Sequence, residues 1–194
     1  MSWIMPFDEK HITGEYGTMS AYRKKHGLQP HSGTDWAPPG SSKGKTPIPA
    51  IARGTVKMVK FSRVLGWVLV QTAMDKDKKI WYLGYCHLKC NKCGINCKGG
   101  HDASQAITLK VGDKVRPGDT VASMGNSGSA SSGVHLHATA SRRLKGVFGV
   151  TSDRADVKKL INANQGVAPA KSVAPAKVTR PTSVAPRVTV AAPQ

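Results

Sequence analysis

Apolar and polar positions alternate with period two over much of this chain, the pattern of strands that bury one face. Residues 51–61 read as a strand with a bend at Gly54. Runs 67–72 and 80–85 are rich in β-branched and aromatic residues. The polar stretch Met74-Asp75-Lys76-Asp77-Lys78-Lys79 between them predicts a hairpin. Short strands are expected at 109–111, at 115 and at 121–124, flanking the turns Gly112-Asp113 and Pro117-Gly118-Asp119. Pro38-Pro39-Gly40 marks another turn, and Pro47 and Pro49 keep the chain there out of a helix. Residues 1–30 are poorly periodic, with turns expected at Glu15-Tyr16-Gly17 and Lys25-His26-Gly27. One helix is expected near the end. Ser152 or Asp153 would cap it, Val157, Leu160 and Ile161 fall at helical spacing, and Gly166 would stop it. Strands separated by such turns predict an all-β domain.

The pattern fails from Gly166 onward. Val167-Ala-Pro-Ala-Lys171 recurs as Val173-Ala-Pro-Ala-Lys177, with a looser echo at Val184-Ala-Pro-Arg187. This stretch carries basic residues, no acids and no aromatics, so residues 166–194 are expected to be a Pro/Ala-rich basic tail or linker. Residues 1–165 are expected to form the domain. Charge sharpens the picture: 29 Lys and Arg against 11 Asp and Glu give net +18, which calls for an anionic partner. Nucleic acid, a membrane surface and an anionic wall polymer all qualify. The most apolar run, 64–70, is too short to span a bilayer. Residues 1–10 do not have the plan of a Sec-type signal peptide.

Chemistry concentrates in Gly133-Val134-His135-Leu136-His137. On a strand, His135 and His137 share one face and Val134 and Leu136 the other. A core-packing strand with a site on its open face fits, as does an amphipathic strand with two solvated rings. His31 and Asp35 lie four apart, in His31-Ser32-Gly33-Thr34-Asp35, where a loop entering a strand is expected. His31, Asp35 and one strand histidine would supply two nitrogens and a carboxylate, the ligand set of a catalytic zinc with one open position. The competing reading is a surface turn with a local hydrogen bond. His87, in Tyr85-Cys86-His87-Leu88, falls at a strand end where alternation opposes it to Cys86 and Leu88. There it could serve as a base or hold an oxyanion. His11 and His26 read as solvated.

These pieces together resemble the lysostaphin-like (LytM-type) zinc endopeptidases, which cut bacterial peptidoglycan. The family pattern H-x-x-x-D, then Y-x-H-L, then H-L-H stands here in order. Asp35-Trp-Ala-Pro-Pro-Gly40, Val111-Gly-Asp-Lys-Val-Arg-Pro-Gly118 and Met124-Gly-Asn-Ser-Gly128 are similar to its intervening segments. The resemblance covers about residues 14–140. It implies a compact antiparallel β-sheet domain with a groove over a zinc. By it the ligands are His31, Asp35 and His137, and the catalytic histidines are His87 and His135, their roles undivided. The implied reaction is hydrolysis of a peptide bond in the stem or cross-bridge of the wall. The implied setting is a bacteriophage lysin, made in the host cytoplasm and acting on the wall after release, or carried on the virion. Peptidoglycan and anionic wall polymers would be its partners and a monomer its form. Ala138-Thr139 departs from the aromatic and acid that usually follow H-L-H.

A cysteine-bearing insertion at 89–105 is foreign to that pattern. Cys90, Cys93, Cys97 and His101 have adequate spacing for a second, structural zinc. Cys86 in place of His101 is one alternative, and disulfides or free thiols are another. Alternation sends Cys86 to the core. Because the insertion follows His87, it is expected to wall the groove. Two rival functions remain: a basic zinc-containing nucleic-acid-binding module, and a catalytically inactive wall-binding member of the family. The first has no use for His31, Asp35, His87, His135 and His137 together. The second usually comes with lost ligands.

Overall fold

A computed structural model describes residues 2–149 and 152–166, so the expected tail beyond Gly166 lies outside the described residues. Ten strands follow in chain order: β1 (Ile12–Gly14), β2 (Thr34–Trp36), β3 (Pro47–Pro49), β4 (Gly54–Ser62), β5 (Gly66–Met74), β6 (Ile80–Leu88), β7 (Lys114–Val115), β8 (Thr120–Ser123), β9 (Leu136–Ser141) and β10 (Arg154–Ala155). Three short helices join them: α1 (Ala21–Lys25), α2 (Ala103–Ala106) and α3 (Val157–Asn164). The main sheet runs β1-β2-β9-β6-β5-β4-β7, with β10 beside β9, while β3 and β8 form a separate ribbon. Every pairing is antiparallel. The all-β, antiparallel expectation holds.

The sheet buries both faces, for different reasons. One packs the main core, which includes Trp36, Trp67, Leu69, Leu83, Tyr85 and Leu136. On the other, Val68, Val70 and Cys86 meet Val147 from the turn Leu144–Phe148. That explains why β5 is buried along nearly its whole length and reads as a continuous apolar run. The β5–β6 hairpin forms as expected, with Met74 opposite Ile80.

Three local expectations change. Asp156, not Ser152 or Asp153, caps α3, its carboxylate accepting from the amides of Lys158 and Lys159. Asp153 instead pairs with Arg143 and accepts from the amide of Arg142 ahead of β10. Residues 109–111 form no strand. Asp113 accepts from Lys110 N and Gly112 is left-handed (φ 99°), so the segment is used up in a turn. Finally, the aperiodic start holds α1, capped by Ser20.

The first and last described segments meet. Trp3 N donates to Asn164 O at 3.2 Å, Trp3 Nε1 to Met74 O at 3.0 Å, and Lys76 N to Asn164 Oδ1 at 2.7 Å.

Candidate active site

Register sets the site. Asp35 on β2 lies opposite His137 on β9, and His137 lies opposite Cys86 on β6. Opposed residues of an antiparallel pair project from the same face, so the Asp35 carboxylate and the His137 ring stand together. Their neighbours Trp36, Leu136 and Ala138 point into the main core. His31 arrives from the loop before β2, where its N–H donates to Thr18 O and its C=O accepts from Gly17 N.

Three side chains converge. His137 Nδ1 is 2.7 Å from Asp35 Oδ1 and 3.1 Å from His31 Nε2, and His31 Nε2 is 3.2 Å from Asp35 Oδ2. Zinc bonds of 2.0–2.1 Å in a tetrahedron imply ligand–ligand edges of about 3.3–3.4 Å, so the triangle is close to the size such an ion needs. Proton bookkeeping points the same way. His31 Nδ1–H donates to Glu15 O at 3.0 Å, which leaves Nε2 a lone pair. With neutral imidazoles, His137 Nδ1 then has one hydrogen for two acceptors, and the His31–Asp35 contact has none. A cation at the centre would accept the three lone pairs, with the His137 proton on its buried and unpartnered Nε2. His31 and His137 are buried. Burial works to raise the Asp35 carboxyl, but hydrogen bonds from His137 and His31 outweigh it and hold the group well below the usual carboxylate range. Burial pushes the His137 ring below its ordinary value.

Two glycines make room for these side chains. A Cβ at Gly33 would collide with the carbonyl oxygen of Ala138 and stand 2.8 and 2.9 Å from Cε1 and Nε2 of His137. At Gly14 a Cβ would stand 2.8 Å from Asp35 Oδ2.

His87 reaches the site by a route that alternation misses. Trp67 pairs with Leu88 but Leu69 pairs with Tyr85, so β6 carries one extra residue against β5. His87 takes up the bulge with φ 58°, a conformation that strains a non-glycine residue. Bulges re-aim side chains beside sites. Here Tyr85 and Leu88 join the main core while Cys86 packs on the opposite face. The expected grouping of Cys86 with Leu88 is therefore wrong. Cys86 is buried as expected, and burial lifts its thiol to about 12.

His87 Nδ1–H donates to Ser127 O at 2.8 Å. Burial, then the neighbouring His137 and His135, lower its pKa to about 3. His135 Nδ1–H donates to Gly133 O at 2.8 Å, and its Nε2 lies 3.7 Å from Asp35 Oδ1. The His87 and His135 ring centres are 4.8 Å apart. Backbone carbonyls of Glu15, Ser127 and Gly133 thus orient three of the four rings, a role that carries no sequence signal.

A groove of about 790 Å³ opens over these rings. Tyr22, Arg23 and Leu28 line one part of it, and Val64, Leu65 and the 129–132 loop line another. Tyr22 is 67% exposed there, which suits it to contact a ligand. The aperiodic 1–30 segment hid this wall. The cysteine insertion does not line the groove, contrary to expectation. Lys89 N donates to Ser123 O and Leu88 bridges Met124, which steers the chain away toward β8. Within the insertion Cys93 and Cys97 form a disulfide, where zinc ligation is expected from the spacing. Their Cα atoms are 5.4 Å apart, a separation that suits a disulfide. Cys90 is a free, buried thiol. His11 and His26 lie outside the site.

Arg154 closes the site from behind. Its guanidinium donates to Ser32 O at 2.9 Å, Gly146 O at 2.7 Å and Val147 O at 2.8 Å. It ties the loop after His31 to the turn that covers Cys86.

Residues 29–147 match the family model described as peptidase family M23. The fold is similar to that of a mutant catalytic domain of the prophage-encoded M23 protein EnpA from Enterococcus faecalis. The TM-score is 0.51 at 26% identity, over 77% of this chain and 91% of that one. It is also similar to LytU (TM-score 0.53, 29% identity, 83% and 90% of the chains). The catalytic domain of the antimicrobial peptidase lysostaphin from Staphylococcus simulans shares the fold (TM-score 0.54, 21% identity, 78% and 91%). No curated protein matches the chain.

Proposed function

Because this chain belongs to peptidase family M23, we propose that it is a zinc-dependent endopeptidase that hydrolyses peptide bonds in the stem or cross-bridge of bacterial peptidoglycan. The convergence of His31 Nε2, Asp35 and His137 Nδ1 beneath an open groove carries this reading. Those three residues are its metal ligands. When bound, zinc supplies Lewis acidity toward the scissile carbonyl and eases deprotonation of water.

The remaining chemistry belongs to His87 and His135. Both give their Nδ1–H to a backbone carbonyl, so both turn an Nε2 lone pair to the site. A ring with a pKa of about 3 does not hold a proton near neutrality, so His87 accepts a hydrogen bond from the attacking water and orients it. His135 sits nearer solvent and takes the proton at Nε2, then returns it to the leaving amine. The groove walls hold the peptide strand and Tyr22 offers it an aromatic face.

Residues 1–165 form the peptidase unit, a boundary supported by the bond from Trp3 N to Asn164 O. Net +18 suits anionic wall polymers. The likeness to a prophage-encoded M23 protein supports the further reading of a phage lysin acting on the wall after release or from a virion. Among the described residues no helix is long and apolar enough to cross a membrane.

The test is release of soluble peptides from purified peptidoglycan, with the linkage identified by mass spectrometry. A chelator should stop release and zinc should restore it. Tight, salt-sensitive DNA binding with no hydrolysis would instead establish the nucleic-acid reading.

A further inference from the structure

Cys90, Cys93, Cys97 and His101 are far more organised than a disulfide requires. One donor atom from each lies within 4.8 Å of all the others. The Cys93–Cys97 disulfide uses two of these groups and leaves the Cys90 thiol and the His101 imidazole converging on it. A tetrahedral zinc uses all four. We infer that these residues form a second, structural zinc centre, filled when Cys93 and Cys97 are thiols.

The backbone around Cys90 is shaped for such an ion. Cys90 N donates to Gly94 O at 3.0 Å and Gly94 N to Cys90 O at 2.9 Å. Gly94 sits at φ 83°, which lets the chain fold back on itself. Inside this knuckle the Cys93 N–H points at Cys90 Sγ, 3.4 Å away. An N–H so placed can donate to a sulfur that ligates a metal. Cys90 is fully buried, yet Asn91, Lys92, Asn96 and Lys98 around it are exposed. Residues 91–100 hold no strand or regular helix, and of them Cys97 alone is buried in the main core. A metal clamp supplies what packing does not.

The centre also has something to brace. Ile95 and Asn96 lie on the tip between Cys93 and Cys97. Ile95 O accepts from Asn126 N at 2.8 Å, and Asn96 Oδ1 accepts from Asn126 Nδ2 at 2.9 Å. Asn126 Oδ1 in turn accepts from the Ser131 hydroxyl at 2.6 Å, and Ser131 Oγ lies 3.3 Å from His135 Nδ1. The clamp therefore holds the far end of a chain of contacts that steadies His135.

The two states interconvert by balanced steps. Two electrons and two protons from a dithiol reductant, itself oxidised to a disulfide, convert the Cys93–Cys97 bond to two thiols. Zinc then displaces the three thiol protons of Cys90, Cys93 and Cys97 and takes a neutral nitrogen from His101.

The test uses the full chain bearing His137→Ala, which removes a ligand of the first site, purified with a dithiol and loaded with cobalt. A near-ultraviolet thiolate-to-cobalt charge-transfer band is expected, with about one zinc per chain on back-exchange. Both should be lost in His137→Ala/Cys90→Ser. His137→Ala/His101→Ala, a change at a half-exposed residue that leaves the core alone, should weaken the band and lower zinc affinity by ~10-fold or more. A disulfide that persists in dithiol, with two titratable thiols and no thiolate band, overturns the proposal. The readout does not depend on peptidoglycan hydrolysis, so either reading can fail without the other.

Discussion

Gly33→Ala is the sharpest single perturbation of the proposed metal site. The added Cβ would overlap the backbone oxygen of Ala138 and press on the ring of His137. Neither neighbour can yield easily, since Ala138 lies in the paired interior of β9 and His137 is buried. Overpacking of this kind costs about 1–3 kcal/mol, which for a domain of this length lowers Tm by roughly 2–12 °C. The larger effect should fall on the metal. Any relief moves His137 away from His31 and Asp35, and disturbing the groups that orient a ligand typically costs ~10–100-fold in metal affinity or activity. Competition with a fluorescent chelator reads the affinity, and clearing of a wall suspension reads the rate. Gly133→Ala is the control, because a Cβ there meets nothing within 4 Å and the backbone is not left-handed. If Gly33→Ala binds zinc and clears walls as the unaltered protein does, or if Gly133→Ala loses zinc affinity equally, the proposed ligand geometry is wrong.

Other expectations are as direct. His87→Ala and His135→Ala should each lower kcat by ~10²–10⁴-fold while retaining first-site zinc, whereas His137→Ala should lose that zinc and the activity together; metal analysis beside kinetics separates them. Arg154→Met should destabilise the domain by about 3 kcal/mol or more, since it strands three carbonyls that now share one guanidinium, and urea unfolding reads the loss. The fold should also weaken in acid through His87. Its folded pKa of about 3 lies below the unfolded value of 6.5, so unfolding takes up a proton between the two. Its contribution is complete above pH 6.5 and declines as pH falls toward 3. Chelated His87→Gln should accordingly lose less stability over that window than the chelated unaltered protein, and equal slopes would count against the assignment.

What could be read from residues alone was whatever depends on spacing. His31 and Asp35 bracket a loop into a strand, and alternation places His135 and His137 off the core face. The β5–β6 hairpin follows from its apolar runs and polar turn. What could not be read depends on the third dimension. The bulge at His87 comes from a mismatch between two strands, and no local feature of Tyr85-Cys86-His87-Leu88 announces it. The carbonyls that orient the rings are present at every residue and become partners only through topology. Arg154 lies 122 residues from Ser32, whose carbonyl it holds. The direction of the cysteine insertion follows from Lys89 pairing with Ser123, a contact invisible from the loop itself.

The clasp of Trp3 on Asn164 bears on how this domain can be joined to others. Both ends of the folded unit open at one doorway, so partners fused before and after it would hang side by side. Such a unit should accept splicing as a cassette into a surface loop of an unrelated host, or sealing of its ends and cutting of the ring elsewhere, without disturbing the proposed zinc ligands. Trimming to the family match at residues 29–147 would take away both halves of the latch.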